Sequence, residues 1–527
     1  MPTAKDSAIG RLNGMAEVLA GTAERHWRWL IAACSALYLV AIGAVATVKP
    51  FENDELFTLY ISRLPSMADV HAALLSGGEQ LPPFFFLVTR AALGMGANPH
   101  VWLRLPAIVG VLVMSVCLFR FVARRSTHLL GLVALLLPLS TSAYYYAFEA
   151  RPYGLVLGFS GIALVCWQSM HESDRRLGWL LGLTLSLAAA IASHYYAVLV
   201  LVPFGCGELV RTVERRRVDV AVWVALLAAL FPLPLVLPLI QRARSYSTGF
   251  WTTPSWGDMP DFFYWTMSST ALPVTAMLLA SALVVAANRT GGSAEQRSPT
   301  SYCSGLTTSE FVAAAGFLLI PVIAVTAAML VTGAYVHRYA LPGIIGVTIL
   351  VTIGLRPLFE GRAAVILLTL AVLEAGFLRR STISMHDSAR RVQNRDAVIG
   401  LLASQPEVDV PIACADQHDF LTLSEYAPPD IRRRLVYLVD ADVAMRRLHH
   451  NSLERGMVDL LGPWFRMNVQ PYRAFVETGR PLLVLGETSA SSDIRWLVPE
   501  LLYARRTLDL RSVEAGSTLY FVRSSAP

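Results

Sequence analysis

Eleven apolar runs, near residues 29–48, 101–122, 128–147, 152–170, 177–193, 195–210, 219–240, 261–287, 310–332, 338–355 and 362–378, dominate the chain up to residue 378. A hydrocarbon layer of about 30 Å takes roughly 20 apolar residues of helix to cross. Inside it every backbone N–H and C=O must be satisfied within the protein, so a chain patterned this way folds as a bundle of membrane-crossing helices. Only 16% of the residues are charged and the mean hydropathy is +0.50, whereas a soluble domain is nearer a quarter charged. No apolar run of that length follows residue 378. The expected fold is therefore a polytopic α-helical membrane protein of about 11 transmembrane helices, with a small C-terminal α/β domain. Its parts would be a cytoplasmic N-terminus (1–28), a transmembrane domain (29–378) and a periplasmic soluble domain (379–527).

The net charge of +6 does not point to nucleic acid, because in a membrane chain the location of basic residues says more than their sum. Arg124/Arg125, Arg175/Arg176, Arg211 with Arg215 to Arg217, Arg289/Arg297 and Arg356/Arg362 all fall on the cytoplasmic side under the positive-inside rule, provided that 81–96 does not cross. That segment, LPPFFFLVTRAALGMG, is short and carries Arg90 at its middle, where a charge costs on the order of 3 kcal/mol. It reads as an interfacial helix. Residues 49–100 then form a long first outer loop with two amphipathic pieces, roughly 54–76 and 82–96, and the tail lies outside. The N-terminus, with its polar lead of about 27 residues, reads as an uncleaved first span although AVA at 44–46 resembles a cleavage site. The six cysteines show neither a disulfide framework nor CxxC spacing.

The outer loops hold the residues that could do chemistry. In PFENDELFTLY (50–60), Asn53 or Asp54 could simply cap the next helix; alternatively, Asp54 is a general base whose pKa is raised by desolvation at the lipid boundary. In FEARPYG (148–154), Glu149 and Arg151 read either as an ion pair at a helix end or as a metal or hydroxyl ligand beside an anion-binding guanidinium. His337, Arg338 and Tyr339 stand at the outer start of a span, where snorkelling explains an arginine but bidentate phosphate binding does too. His194, in SHYY (193–196), belongs to an aromatic belt by default and is a metal ligand as the minority reading. Glu79 and Gln80 are ordinary loop residues that face the same side, as does the 241–260 loop. In the tail, PIACAD (411–416), DFLTLSEY, RLVYLVD (434–440), RPLLVLGE (480–487) and STLYFVRS (517–524) alternate like strands, with no phosphate-binding glycine motif.

Taken in order, NDELFT, LPPFFF, WLRLPAIVG, FEARPYG, SHYYA and HRYALP resemble the GT-C glycosyltransferases, in particular the bacterial branch similar to protein O-mannosyltransferases and the lipid A aminoarabinose transferase. The resemblance covers roughly residues 28–360. It implies an inverting transferase that moves a sugar from a polyprenyl-phosphate donor to an acceptor hydroxyl on a cell-envelope glycan, lipid or protein, at the outer face of the bacterial inner membrane. Asp54 would be the catalytic base. Glu55, Glu149, Arg151, Tyr153, His337, Arg338 and Tyr339 would bind substrate, and a divalent metal ion would take Glu149, Glu79 and His194. Many relatives have His-Pro-Pro where this chain has Leu81-Pro82-Pro83, so a histidine contact must come from Gln80, Glu79 or His194 or be missing. A lipid-linked glycan transporter or flippase, or a non-catalytic glycan-binding membrane protein, is the alternative. A transporter would more often carry ionisable residues at the bilayer midplane, whereas here the acids gather at one face.

Overall fold

The computed structural model describes residues 4–246, 249–268, 305–487, 495–514 and 516–523. Among the described residues, five helices are long and apolar enough to cross a membrane: Trp27–Val48, Leu105–Ala123, Arg176–Ser193, Tyr195–Arg215 and Val220–Arg244. A sixth arises if Thr308–Leu318 and Ile320–Thr332, bent by 45° at their junction, form one span. The bend sits where Pro321 opens the second helix, a residue with no N–H to continue the ladder. Shorter apolar helices, His128–Ser140, Tyr153–Ser169 and Gly343–Phe359, fill the bundle between them. The run expected as a span at 128–147 is regular only to Leu136 and continues as 3₁₀ turns through Ala147, with Pro138 in the first of them. The run expected at 261–287 begins within helix Asp258–Met267; its part beyond residue 268 lies outside the described residues.

The segment around Arg90 forms an 11-residue helix, Pro83–Leu93, about 16 Å long and too short to cross. Arg90 caps the loop beneath it, its guanidinium donating to the carbonyls of Leu64 and, at 2.7 Å, of Pro65. The single piece expected at 54–76 is two helices, Asn53–Ser62 and Met67–Ser76. Between them Pro65 and Ser66 break the chain, and Ser66 starts the second helix with a reciprocal capping box to Asp69.

Two helices that carry site residues at their ends are in backbone contact. Gly154 and Gly158, one turn apart, face Gly110: a Cβ on Gly110 would lie 2.1 Å from the Gly154 carbonyl oxygen, and one on Gly158 2.7 Å from that of Gly110. This is small-residue packing of the kind membrane helices use for close approach. It fixes the distance between Arg104, just before Leu105–Ala123, and Arg151, just before Tyr153–Ser169.

The basic clusters among the described residues gather at the opposite end of the bundle; Arg289/Arg297 lie outside the described residues. Arg125 grips Glu310 with Nε and Nη2 at 2.8–3.0 Å, Arg124 and Arg125 both reach Glu172, and the Arg211 guanidinium lies 3.6 Å from the centre of the Trp167 ring. Basic loops and site loops are thus segregated to different ends.

The tail holds a six-stranded sheet: β1 Ile412–Cys414, β2 Leu435–Val439, β3 Val469–Pro471, β4 Leu482–Glu487, β5 Leu508–Glu514 and β6 Ser517–Val522, in the order β3-β2-β1-β4-β6-β5. The first four run parallel and β6 and β5 close the edge antiparallel. DFLTLSEY is not a strand but part of helix Gln417–Tyr426. Asp416 wins the competition there: its carboxylate accepts from the His418 N–H at 2.7 Å, which caps a helix start, and Gln417, Phe420 and Leu421 then bury one helical face. The boundary expected at 378/379 falls inside an unbroken 41-residue helix, Ala363–Ala403.

The tail and the first loop share a core. Phe51, Leu56 and Leu59 pack in one cluster with Val398, Phe420, Leu423 and Leu483. Tyr60 donates to Glu425 at 2.9 Å, the Phe51 N–H donates to the Tyr426 hydroxyl at 2.9 Å, and the Gly249 carbonyl accepts from Asn451 and Ser452 at 3.1 and 3.0 Å. The tail is therefore a roof seated on the ends of the membrane helices.

Candidate active site

Glu55 is the structural centre of the first loop. Its carboxylate is fully buried and accepts from Arg104 Nε at 2.7 Å and Nη2 at 2.8 Å, Lys49 Nζ at 3.1 Å, the Glu52 N–H at 3.1 Å and the Ala150 N–H at 2.8 Å. Burial alone would raise its pKa, but Arg104 and Lys49 outweigh that and hold it well below the ordinary carboxylate range. It was expected to bind substrate; its carboxylate is instead enclosed by these five donors, and it lines neither of the two cavities described below. It ties the first loop to the start of Leu105–Ala123 and to the FEARPYG loop. Glu52, not Asn53 or Asp54, is the N-cap of helix Asn53–Ser62, so Asp54 is spared that duty.

Asp54 points the other way. Its side chain is about one-third exposed (32%), and Oδ2 lies 3.0 Å from Arg338 Nη2 and 3.9 Å from Arg151 Nε. Arg151 is itself buried, with Nη1 donating to Glu79 Oε2 at 2.8 Å and to the Asp54 main-chain carbonyl at 3.2 Å. The Arg338 guanidinium sits 5.9 Å from the Tyr153 ring centre. Desolvation pulls the Asp54 pKa up, but Arg338 and Arg151, with His418, bring it below the ordinary value. This reverses the expectation of a raised pKa: the two guanidinium groups outweigh the lipid boundary.

Two cavities meet at Asp54. The first, about 260 Å³, is walled by Tyr153, Tyr195, Tyr196, Tyr246, Trp251 and Tyr339, with Glu79, Arg151 and His194 among its polar groups. The second, about 870 Å³, is walled by Glu52, Glu149, Arg391, Arg395, His418 and Asp419. Asn53, Asp54, Trp251, Arg338, Gln417 and Leu453 line both. One cavity is rich in aromatic rings and the other in charged groups, and the Asp54–Arg338 pair stands on the partition.

The remaining candidates divide between these walls. Glu149 lies in the second cavity, where burial, only partly offset by Lys49 and Arg338, pushes its pKa up to about 7. His194 lies in the first, its ring 4.9 Å from that of Tyr339; Nδ1 accepts from the Tyr196 N–H at 3.2 Å. Burial, with Arg151 and Arg338, lowers its pKa to about 3. His337 lines neither cavity and packs on Trp265 and Tyr335, because the 3₁₀ turn His337–Ala340 sends adjacent side chains in different directions. The proposed metal ligands do not converge: Glu79 is engaged by Arg151, His194 shares its cavity, and Glu149 is in the other. Among the described residues the group with metal-like spacing is His171, Glu208 and Asp219, at the basic end. There Arg215 meets His171 at 3.2 Å, Arg211 meets Glu208 at 3.5 Å, and Arg176 pairs with Asp219, so each donor already faces a guanidinium.

Sequence reading missed the roof's contribution: Arg391 and Arg395 from the long helix, Gln417 and His418 from the tail, and Leu453. No local motif announces these residues; only the fold brings them within reach of Asp54. The Glu55–Arg104 pair was missed for the same reason, although both residues lie in motifs already singled out.

Residues 80–241 match the family model described as dolichyl-phosphate-mannose-protein mannosyltransferase. No curated protein matches the sequence. Among solved structures, the chain is similar to ArnT from Cupriavidus metallidurans in the apo state, with a TM-score of 0.57 and 14% identity over 94% of this chain and 98% of that one. The same protein bound to undecaprenyl phosphate gives a TM-score of 0.57 at 13% identity, with the same coverage. Residues 80–241 are thus similar to that mannosyltransferase family, and the chain, with its apolar spans and small sheet domain, shares its fold with ArnT.

Proposed function

We propose that this protein is an inverting transferase that moves a sugar from a polyprenyl-phosphate donor to an acceptor hydroxyl at the outer face of the bacterial inner membrane. The observation that carries the reading is the position of Asp54, paired with Arg338 on the partition between two cavities of unlike chemistry. The donor sugar and its phosphate occupy the aromatic cavity, with Arg338 and Arg151 against the phosphate; a guanidinium suits phosphate because its fork matches two oxygens. That the solved relative is described as binding undecaprenyl phosphate supports a polyprenyl carrier. The acceptor, a glycan, lipid or protein hydroxyl, enters through the larger cavity.

Chemistry at the partition follows from the charges. Paired with Arg338, Asp54 is ionised but a weak base. A donor phosphate competes for Arg338, and as that guanidinium turns to the phosphate the Asp54 pKa climbs toward its ordinary value. Asp54 then takes the proton of the acceptor hydroxyl while the oxygen attacks the anomeric carbon. The carbon–oxygen bond to phosphate breaks with its electron pair, and the arginines meet the charge that develops on the leaving phosphate. Attack from the side opposite the phosphate inverts the anomeric centre. The N-terminus and the basic loops lie on the cytoplasmic side in this reading, and the tail is periplasmic. No step requires a metal ion, and the expected ligands Glu149, Glu79 and His194 do not form one set.

The test is release of radiolabelled sugar from a panel of undecaprenyl-phosphate sugars by protein reconstituted in lipid. Asp54→Asn is expected to lower release by about 10²–10⁴-fold, the range for loss of a general base, while still binding undecaprenyl phosphate. Full activity in that variant would remove Asp54 as the base, and no release by wild type from any donor would remove the transferase reading.

A further inference from the structure

One constellation in the roof remains without a role. His418, the second residue of helix Gln417–Tyr426, lines the larger cavity beside Asp54 and Glu149. Asp416, almost wholly buried, holds it twice: one carboxylate oxygen accepts from the His418 N–H at 2.7 Å and meets the ring Nδ1 at 2.9 Å. The other oxygen accepts from Arg495 Nε at 3.1 Å and Nη2 at 2.8 Å. An ionised carboxylate only accepts hydrogen bonds, so Nδ1 carries the hydrogen and Nε2 is the nitrogen left for the cavity. A carboxylate that fixes the tautomer and angle of an imidazole, and is itself fixed by a third group, is the arrangement that acid–base catalysis uses elsewhere. The ring is half exposed (51%), as a group that must exchange protons with water needs to be.

Resting on the transferase reading above, we propose that His418 is the acceptor-side proton carrier: it receives the proton that Asp54 takes from the acceptor hydroxyl and delivers it to water. The balance is simple. The acceptor O–H bond breaks, its proton goes to the Asp54 carboxylate and then to His418 Nε2, and the imidazolium returns it to solvent; no oxidant or co-reactant enters. Asp54 does not keep that proton, because Arg151 favours its ionised form and Arg338 does so again once the phosphate has left. The groups that face His418 or share its cavity are Asp54, Asp416, Asp419, Glu52 and Glu149 on the acidic side and Arg338, Arg391, Arg395 and Arg495 on the basic side. Their sum leaves the imidazole pKa raised, chiefly because the bond to Asp416 overcomes burial. The carrier works from its neutral form, so activity rises as pH passes upward through that pKa.

The experiment measures sugar release from undecaprenyl-phosphate sugars, with water as acceptor, across pH for wild type, His418→Gln and Asp416→Asn, with binding of undecaprenyl phosphate as the check on folding. His418→Gln is expected to lower kcat at least tenfold with donor KM unchanged, to lose the acidic limb of the profile, and to regain rate with added 4-methylimidazole. Asp416→Asn should move that limb to lower pH. Glu149 titrates in the same cavity, so the limb is assigned by its disappearance in His418→Gln. If wild type is active and His418→Gln keeps its rate and profile, or loses rate without imidazole rescue, the carrier is refuted and the transferase stands. If wild type releases sugar from no donor, both fall together.

Discussion

Replacing Glu55 by glutamine keeps the side-chain shape and removes one charge, which makes it the sharpest probe of how the site is built. Five donors converge on that carboxylate, two of them from Arg104 and one from Lys49. An amide offers one oxygen and one NH₂ group, so whichever way it turns, its NH₂ faces donors on one side. Arg104, itself fully buried, then keeps its charge without a full counter-ion. Removing one partner of a buried ion pair costs about 3–5 kcal/mol, against a typical total of 5–15 kcal/mol. We expect Glu55→Gln to unfold at clearly lower temperature or denaturant than wild type in matched detergent, and Asp54→Asn, whose side chain is partly solvated, to unfold close to wild type. The pH dependence has a definite sign. Glu55 is held below its ordinary value of 4.5 in the folded state, so its stabilisation is complete above that pH and is lost as pH falls through the folded pKa. The gap between wild type and Glu55→Gln should therefore narrow in acid. Equal midpoints for the two proteins near neutral pH would refute the account of Glu55 as the tie between loops.

Three further outcomes are expected. Arg338→Lys keeps a charge but loses the fork, and should weaken undecaprenyl phosphate binding about tenfold to a hundredfold, from ~1.5–3 kcal/mol per charge-assisted bond; titration calorimetry or a filter assay reads it, and unchanged affinity would take Arg338 off the phosphate. Glu149 is raised from 4.5 to about 7, so the native protein is penalised as pH rises through that window, and Glu149→Gln should gain on wild type in thermal midpoint between pH 5 and 8; parallel curves would show that Glu149 titrates normally. Gly110→Ala would place a methyl 2.1 Å from the Gly154 carbonyl oxygen, forcing two helices apart at about 1–3 kcal/mol and lowering the thermal midpoint; a neutral result would mean that this contact is looser than described.

Apolar run length was enough to read a helical membrane fold with a small sheet domain after it, because lipid leaves a chain few choices; the number of spans was not, since five or six described helices pass as full spans where eleven runs were expected. Of the residues that charge and position singled out, Asp54, Glu149, Arg151, Tyr153, Arg338 and Tyr339 line the two cavities. Their roles there were harder to read. Asp54 and Glu55 are adjacent acids, and only the location of Arg104, 49 residues on, makes one a buried tie and leaves the other facing the cavities. Period alone misread DFLTLSEY, since five residues of alternation look alike until a cap at Asp416 selects the helix. The short β3 and the half-exposed β5 carry too little apolar pattern to be seen locally. The contribution of the roof was invisible because it comes from residues more than 300 positions from Asp54.

Helix Ala363–Ala403 contains no proline along its 41 residues and so behaves as a gear shaft about 60 Å long. One end is geared to the membrane bundle, and the other carries Arg391, Asn394 and Arg395 into the larger cavity. Its length in residues is then also an angle: one residue inserted near Ile383 turns everything beyond it by about 100° and lifts it by about 1.5 Å, unmeshing those teeth from the cavity. Insertion of seven residues restores the angle to within about 20° but raises the roof by about 10 Å. This stretch has both its phase and its height set by the site it helps to enclose.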